Sequence, residues 1–161
     1  MTASLIHDCL HYGAILDAYV VLSSHWHAIL RVPTGRSIAW LMARLKSNAA
    51  KRLLSALSAE VLEELGRQSG SNERVLWDRS YRSFPINRDS LFRQKADYIH
   101  NNPVRAGLVA LQSEYRWSSA FLYDQGVWSE ERGLHLDPEL VRYYCSPELL
   151  VIKGGSVSVM P

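Results

Sequence analysis

The stretch from Ala18 to Val32, "AYVVLSSHWHAILRV", constrains the fold more than any other. Apolar, β-branched and aromatic residues fill both halves, and Ser23-Ser24 between them suits a turn. Tyr12 to Leu22 therefore reads as one strand and His25 to Val32 as a second, antiparallel to it, with Pro33-Thr34-Gly35 ending the pair. Side chains alternate across a strand, so His25 and His27 share a face while Trp26 points to the other.

Helical periods follow. Ile38, Leu41, Met42, Leu45, Ala49, Leu53 and Leu57 repeat at helical spacing, with Arg44, Lys46, Lys51 and Arg52 between them, predicting an amphipathic helix with a basic side over Ser37–Leu57. Ala59 to Arg67 continues in helical style, and "GRQSGSNER" reads as a loop. Val75 to Ile86, "VLWDRSYRSFPI", has strand character up to an edge at Pro85. Asn87 or Asp89 can cap a helix running to Asn102, which Pro103 closes. Beyond Trp117-Ser118-Ser119 the chain turns acidic and irregular, with a short helix near Pro138–Tyr144 and a loose tail, "GGSVSVMP". Strands and helices in this order predict an α+β sandwich, an antiparallel sheet with helices on one face and the other open to a ligand.

At 161 residues the chain fits one domain, and 47% hydrophobic with 21% charged residues is ordinary for a globular protein. The first residues lack the pattern of a secretory signal, and no apolar run reaches the length of a membrane span. Cys9 and Cys145, far apart, fit a reducing cytoplasm better than a disulfide framework or a thiolate zinc site. The net charge of +2 conceals a segregation: Arg31 to Arg116 holds fifteen basic and eight acidic residues, while both ends are mildly anionic. Such a middle suits a polyanion, although on charge alone a solvated helix face is the better reading.

Two constellations carry chemistry. His25 and His27 can converge on one divalent cation through neutral ring nitrogens, yet His-x-His alone fits hydrogen-bonded sheet histidines better. In "ADYIHNNPVRAGLV", Gln94, Tyr98 and Asn102 would share one helix face. A positioned tyrosine can act as a covalent nucleophile; a lone one is more often a core aromatic with a wet hydroxyl. His100 falls on a different side and has no assigned role.

Together, "AYVVLSSHWHAILRVP", "VLWDRSYRSFPI", "YIHNNPVRAGLV" and "YRWSSAFLY", in that order, resemble the HUH single-tyrosine transposases, and more closely their REP-associated branch. The resemblance spans roughly Tyr12 to Tyr123, implying a catalytic domain over residues 1–123 with an acidic extension and tail over 124–161. It implies a ferredoxin-like fold, metal binding by His25, His27 and Asn102 with Mg²⁺ or Mn²⁺, and Tyr98 as nucleophile. Attack on single-stranded DNA, often beside a folded-back hairpin, would give a 5′-phosphotyrosine and a free 3′-OH. Arg44, Lys46, Lys51, Arg52, Arg79, Arg82 and Arg105 then become DNA contacts, with Trp77, Tyr81 and Trp117 available for base stacking. The implied setting is the bacterial cytoplasm, at the nucleoid, with no membrane partner.

Two departures accompany the likeness. Relatives carry Pro-Asn where this chain has Ser23-Ser24. They also carry an upstream strand central to the sheet, whereas "MTASLIHDCLHYG" reads as the end of the first helix. A missing strand would expose a sheet edge, inviting a homodimer through it. It also keeps open a second reading, a catalytically degenerate or domesticated protein that binds hairpin DNA.

Overall fold

The computed structural model describes residues 1–69, 76–77, 80–129 and 132–134. Its centre is the expected hairpin: β1 (Ile15–Val21) pairs antiparallel with β2 (Trp26–Arg31). Ser23 and Ser24 make the turn, closed by Leu22 N–H donating to the His25 carbonyl at 2.8 Å. The register slips between Leu16, opposite Leu30, and Ala18, opposite Ile29, which leaves Asp17 as an extra residue in a β-bulge.

Alternation along the hairpin then sorts its two faces. Leu16, Tyr19, Trp26, Ala28 and Leu30 join one cluster, packed with Leu5, Ile6 and Cys9 of α1 (Thr2–Tyr12) and Leu41, Met42 and Leu45 of α2 (Ile38–Ala56). Ala18, Val20 and Ile29 join a second cluster with Ala96 and Ile99 of α4 (Asp89–Arg105). The α+β class is as read from the sequence, but the helices are not confined to one face. α4 crosses the side that alternation alone would leave open.

α2 begins where expected, with Ser37 accepting the Trp40 N–H at its N-cap. α3 (Ala59–Ser69) follows it. Among its described residues, the strand expected over Val75–Ile86 is not formed: residues 76–77 and 80–86 run without helix or strand, and Val75, Asp78 and Arg79 lie outside the described residues. Tyr81, Phe84 and Pro85 point to solvent, so no second layer rewards an extended pairing there. The cap of α4 is Arg88, without a side-chain hydrogen bond, rather than Asn87 or Asp89. Pro103 does not close α4 either. It sits inside the last turn, where its missing N–H costs a single helical bond, and the helix ends through Gly107 at φ 70°.

Beside β1, on the edge away from β2, the chain returns. Val21 N–H donates to the Trp117 carbonyl at 2.8 Å and Ser119 N–H to the Tyr19 carbonyl at 2.9 Å, making a bridge between Val20 and Ser118. After α5 (Ala120–Asp124), the short strands β3 (Trp128–Ser129) and β4 (Gly133–Leu134) pack on β1, with Leu134 in the first cluster. Gly133 is required there: a Cβ would meet the Leu16 carbonyl oxygen at 2.7 Å. The packed unit thus continues past Tyr123. The helix expected near Pro138–Tyr144 and the tail lie outside the described residues.

Candidate active site

The hairpin and α4 bring the two constellations together. The rings of His25 and His27 stand 5.0 Å apart, centroid to centroid, and that of His27 stands 5.8 Å from the ring of Tyr98. Ile29 on the same face anchors α4 through Ile99, which explains why the helix lies where its tyrosine can reach the strand. Tyr98 is 44% exposed, so it is not the core aromatic that a lone tyrosine usually is.

His27 is in a state suited to a cation. Burial, and secondarily the neighbouring His25, lower the His27 pKa, favouring the neutral imidazole that ligation needs. His25 is exposed, with Nδ1 3.0 Å from Ser24 Oγ. When Nδ1 donates to that hydroxyl, Nε2 keeps its lone pair for a ligand. Ser24 therefore takes on an orienting role that its identity as a turn residue did not suggest. Asn102 spends its amide N–H on the Tyr98 carbonyl at 2.8 Å, so Oδ1 is the atom left to accept a further contact. Among the described residues no further His, Cys, Asp or Glu completes a cluster with the two histidines. Two imidazoles and an amide oxygen would make a mixed nitrogen and oxygen donor set for a divalent cation, richer in nitrogen than Mg²⁺ ordinarily takes.

Behind this surface lies a residue with no role read from sequence. His100 is buried, and its Nε2 lies 2.8 Å from Ser119 Oγ, which accepts the Tyr19 N–H at 2.8 Å. Burial pushes the His100 pKa down to about 4, against the opposing pull of Asp97 and Asp124. One neutral imidazole thus ties α4 to Ser119 and, through it, to β1. The spacing of "YIHNN" and "WSS" becomes intelligible as a single hydrogen-bonded joint.

The basic residues divide. Arg105 stands 5.5 Å from the Tyr98 ring, at the site itself. Lys46 donates to the Ser80 carbonyl at 2.7 Å and faces Tyr81, and Arg44 lies over Trp40 on α2. Lys51 and Arg82 are exposed, and Arg79 lies outside the described residues. Arg52 is committed elsewhere: its guanidinium pairs with the buried Asp8 at 3.0 Å and donates to Ser4 Oγ at 2.7 Å, locking α2 to α1. Trp77 and Trp117 are half-buried, Trp117 packing against the second cluster, which leaves Tyr81 as the more accessible ring of the three.

Comparison with known proteins bears on the family and the fold. A family model described as "Transposase IS200 like" matches residues 2–102. The chain belongs to the IS200-like transposase family. A solved structure, "Structure of the REP associates tyrosine transposase bound to a REP hairpin", shares its fold at 20% identity. The TM-score is 0.58, with 80% of this chain and 70% of that one covered. No curated protein matches the chain. Among the described residues of this family member, no helix is long and apolar enough to cross a membrane.

Proposed function

We propose that this family member cuts and rejoins single-stranded DNA beside a hairpin, with Tyr98 as nucleophile and His25, His27 and Asn102 as ligands of Mg²⁺ or Mn²⁺. The observation that carries it is the Tyr98 ring at 5.8 Å from the His27 ring, on an open surface. The structural neighbour bound to a REP hairpin supports the choice of substrate.

A bound divalent cation would polarise a non-bridging oxygen of the scissile phosphate. The protein's own groups do the rest. His25 and His27, neutral, leave the ion its full charge, and Arg105 adds a fixed positive charge beside the tyrosine. Tyr98 Oη attacks phosphorus; the Oη–P bond forms, the bond to the 3′ oxygen breaks, and the phenolic proton passes to solvent while the 3′ oxygen gains one. A phenoxide is a better leaving group than an alkoxide, so a later 3′-OH can displace it, which makes the link reversible and suits strand transfer over hydrolysis.

Incubation with labelled hairpin DNA carrying single-stranded flanks and Mn²⁺ should give a covalent adduct on a denaturing gel, absent in Tyr98→Phe. Tight binding with no adduct would sink catalysis and leave the degenerate hairpin-binding protein as the better account.

A further inference from the structure

We infer that residues 80–86 form a stacking platform for unpaired DNA bases adjoining the cleaved phosphate, with Tyr81 and Phe84 as its rings and Lys95 and Arg82 as its phosphate contacts. This rests on the DNA-processing reading above and adds a base-binding site to it.

Phe84 is 72% exposed and Tyr81 38% exposed, although Ile86, two residues on, packs into the second cluster. Burial of Phe84 would stabilise the fold, so its place in solvent is a cost that the lysine beside it offsets only in part. Single exposed apolar residues are common; two rings in one short segment, each beside a lysine, are a patch with a character. Lys46 Nζ lies 5.8 Å from the Tyr81 ring centre and Lys95 Nζ 5.7 Å from that of Phe84. The segment is held at both ends, by Lys46 on the Ser80 carbonyl at 2.7 Å and by the burial of Ile86, so its rings are presented rather than loose.

Charge selects the occupant. From Ser80 to Arg88 the sequence "SYRSFPINR" contains two arginines and no acid. Flat apolar faces interleaved with cations match a single strand, whose bases stack and whose phosphates are anionic, better than an uncharged apolar protein surface. Position selects the part of the strand. Lys95 precedes Tyr98 by three residues on the same helix, about 4.5 Å along its axis, so both lie on one side of α4. Phe84, over Lys95, therefore stands at one end of a stripe that continues through Tyr98 to Arg105.

The test uses Tyr98→Phe protein, which cannot cleave, and fluorescence anisotropy with three probes: a hairpin with single-stranded flanks, the same hairpin blunt-ended, and flanked hairpins with one abasic nucleotide at each flank position. Phe84→Ala and Tyr81→Ala should each weaken binding of the flanked hairpin about tenfold and of the blunt hairpin less than twofold. Phe84→Leu should behave like Phe84→Ala, and Phe84→Trp should restore affinity. At one or two flank positions an abasic nucleotide should cost the parent as much, with Phe84→Ala adding nothing further. Parent-like affinity of Phe84→Ala, equal losses on blunt and flanked probes, or full rescue by leucine would each overturn the platform while leaving the DNA reading intact. A parent that binds no probe would instead overturn the DNA reading and the platform with it. Both substituted residues are exposed, so unchanged thermal unfolding confirms that the comparison is between folded proteins.

Discussion

The two faces of one hairpin have been put to opposite uses. Toward α1 and α2, Leu16, Tyr19, Ala28 and Leu30 meet Leu5, Ile6, Leu41 and Leu45, and Asp8, Ser4 and Arg52 pair with one another in a triangle. Toward α4 the packing is smaller, and where it runs out the same strand presents His25 and His27 to Tyr98. A period of two residues lets β2 serve both, because each substitution on one face leaves the other untouched. The contrast sets the larger apolar core on the first face and the proposed site on the second.

The largest effects should separate those roles. Tyr98→Phe should lower strand cleavage by a factor on the order of 10³ or more with denaturant midpoint unchanged, since it removes only an exposed hydroxyl. Leu41→Ala, fully buried against α1, should cost about 2–5 kcal/mol in urea unfolding. If the two variants exchanged signatures, the division of faces would be wrong.

Next comes the joint that holds α4 in place. The His100 pKa falls from 6.5 unfolded to about 4 folded, so below 6.5 the unfolded chain takes up a proton that the folded one refuses. The contribution of neutral His100 is intact above pH 6.5 and declines as pH falls toward about 4, by a total on the order of 3 kcal/mol. Thermal unfolding from pH 8 to 4 should show that loss, and His100→Gln, unable to titrate, should flatten the curve even where its overall stability is lower. An identical slope in the variant would remove His100 as the cause.

The smallest effects distinguish two arginines. Arg52→Ala should cost about 1–2 kcal/mol by leaving Asp8 buried without its cation, and should change DNA affinity less than twofold. Arg105→Ala should leave stability within about 0.5 kcal/mol and make the salt dependence of DNA binding shallower by about 0.7 in log–log slope, one single-strand phosphate contact. Both arginines share a charge, and only their neighbours separate them.

The hairpin, the α2 helix, and the pairing of His25 with His27 on one face were legible in the sequence. Each follows from local rules, alternation and helical period, that act within a few residues. Pro103 misled for the same reason: a local breaker signal was outweighed by the few bonds left in that last turn. The strand expected at Val75–Ile86 misled because β-branched and aromatic residues mark a surface that packs, whereas Tyr81 and Phe84 stay exposed with only a lysine beside each ring among the described residues. Tertiary structure alone placed α4 on the histidine face, bound His100 to Ser119, and turned Arg52 inward to Asp8. These are contacts between residues far apart in the chain, so no local pattern encodes them; they exist once the apolar faces have been buried and the remaining polar groups must find partners where they stand.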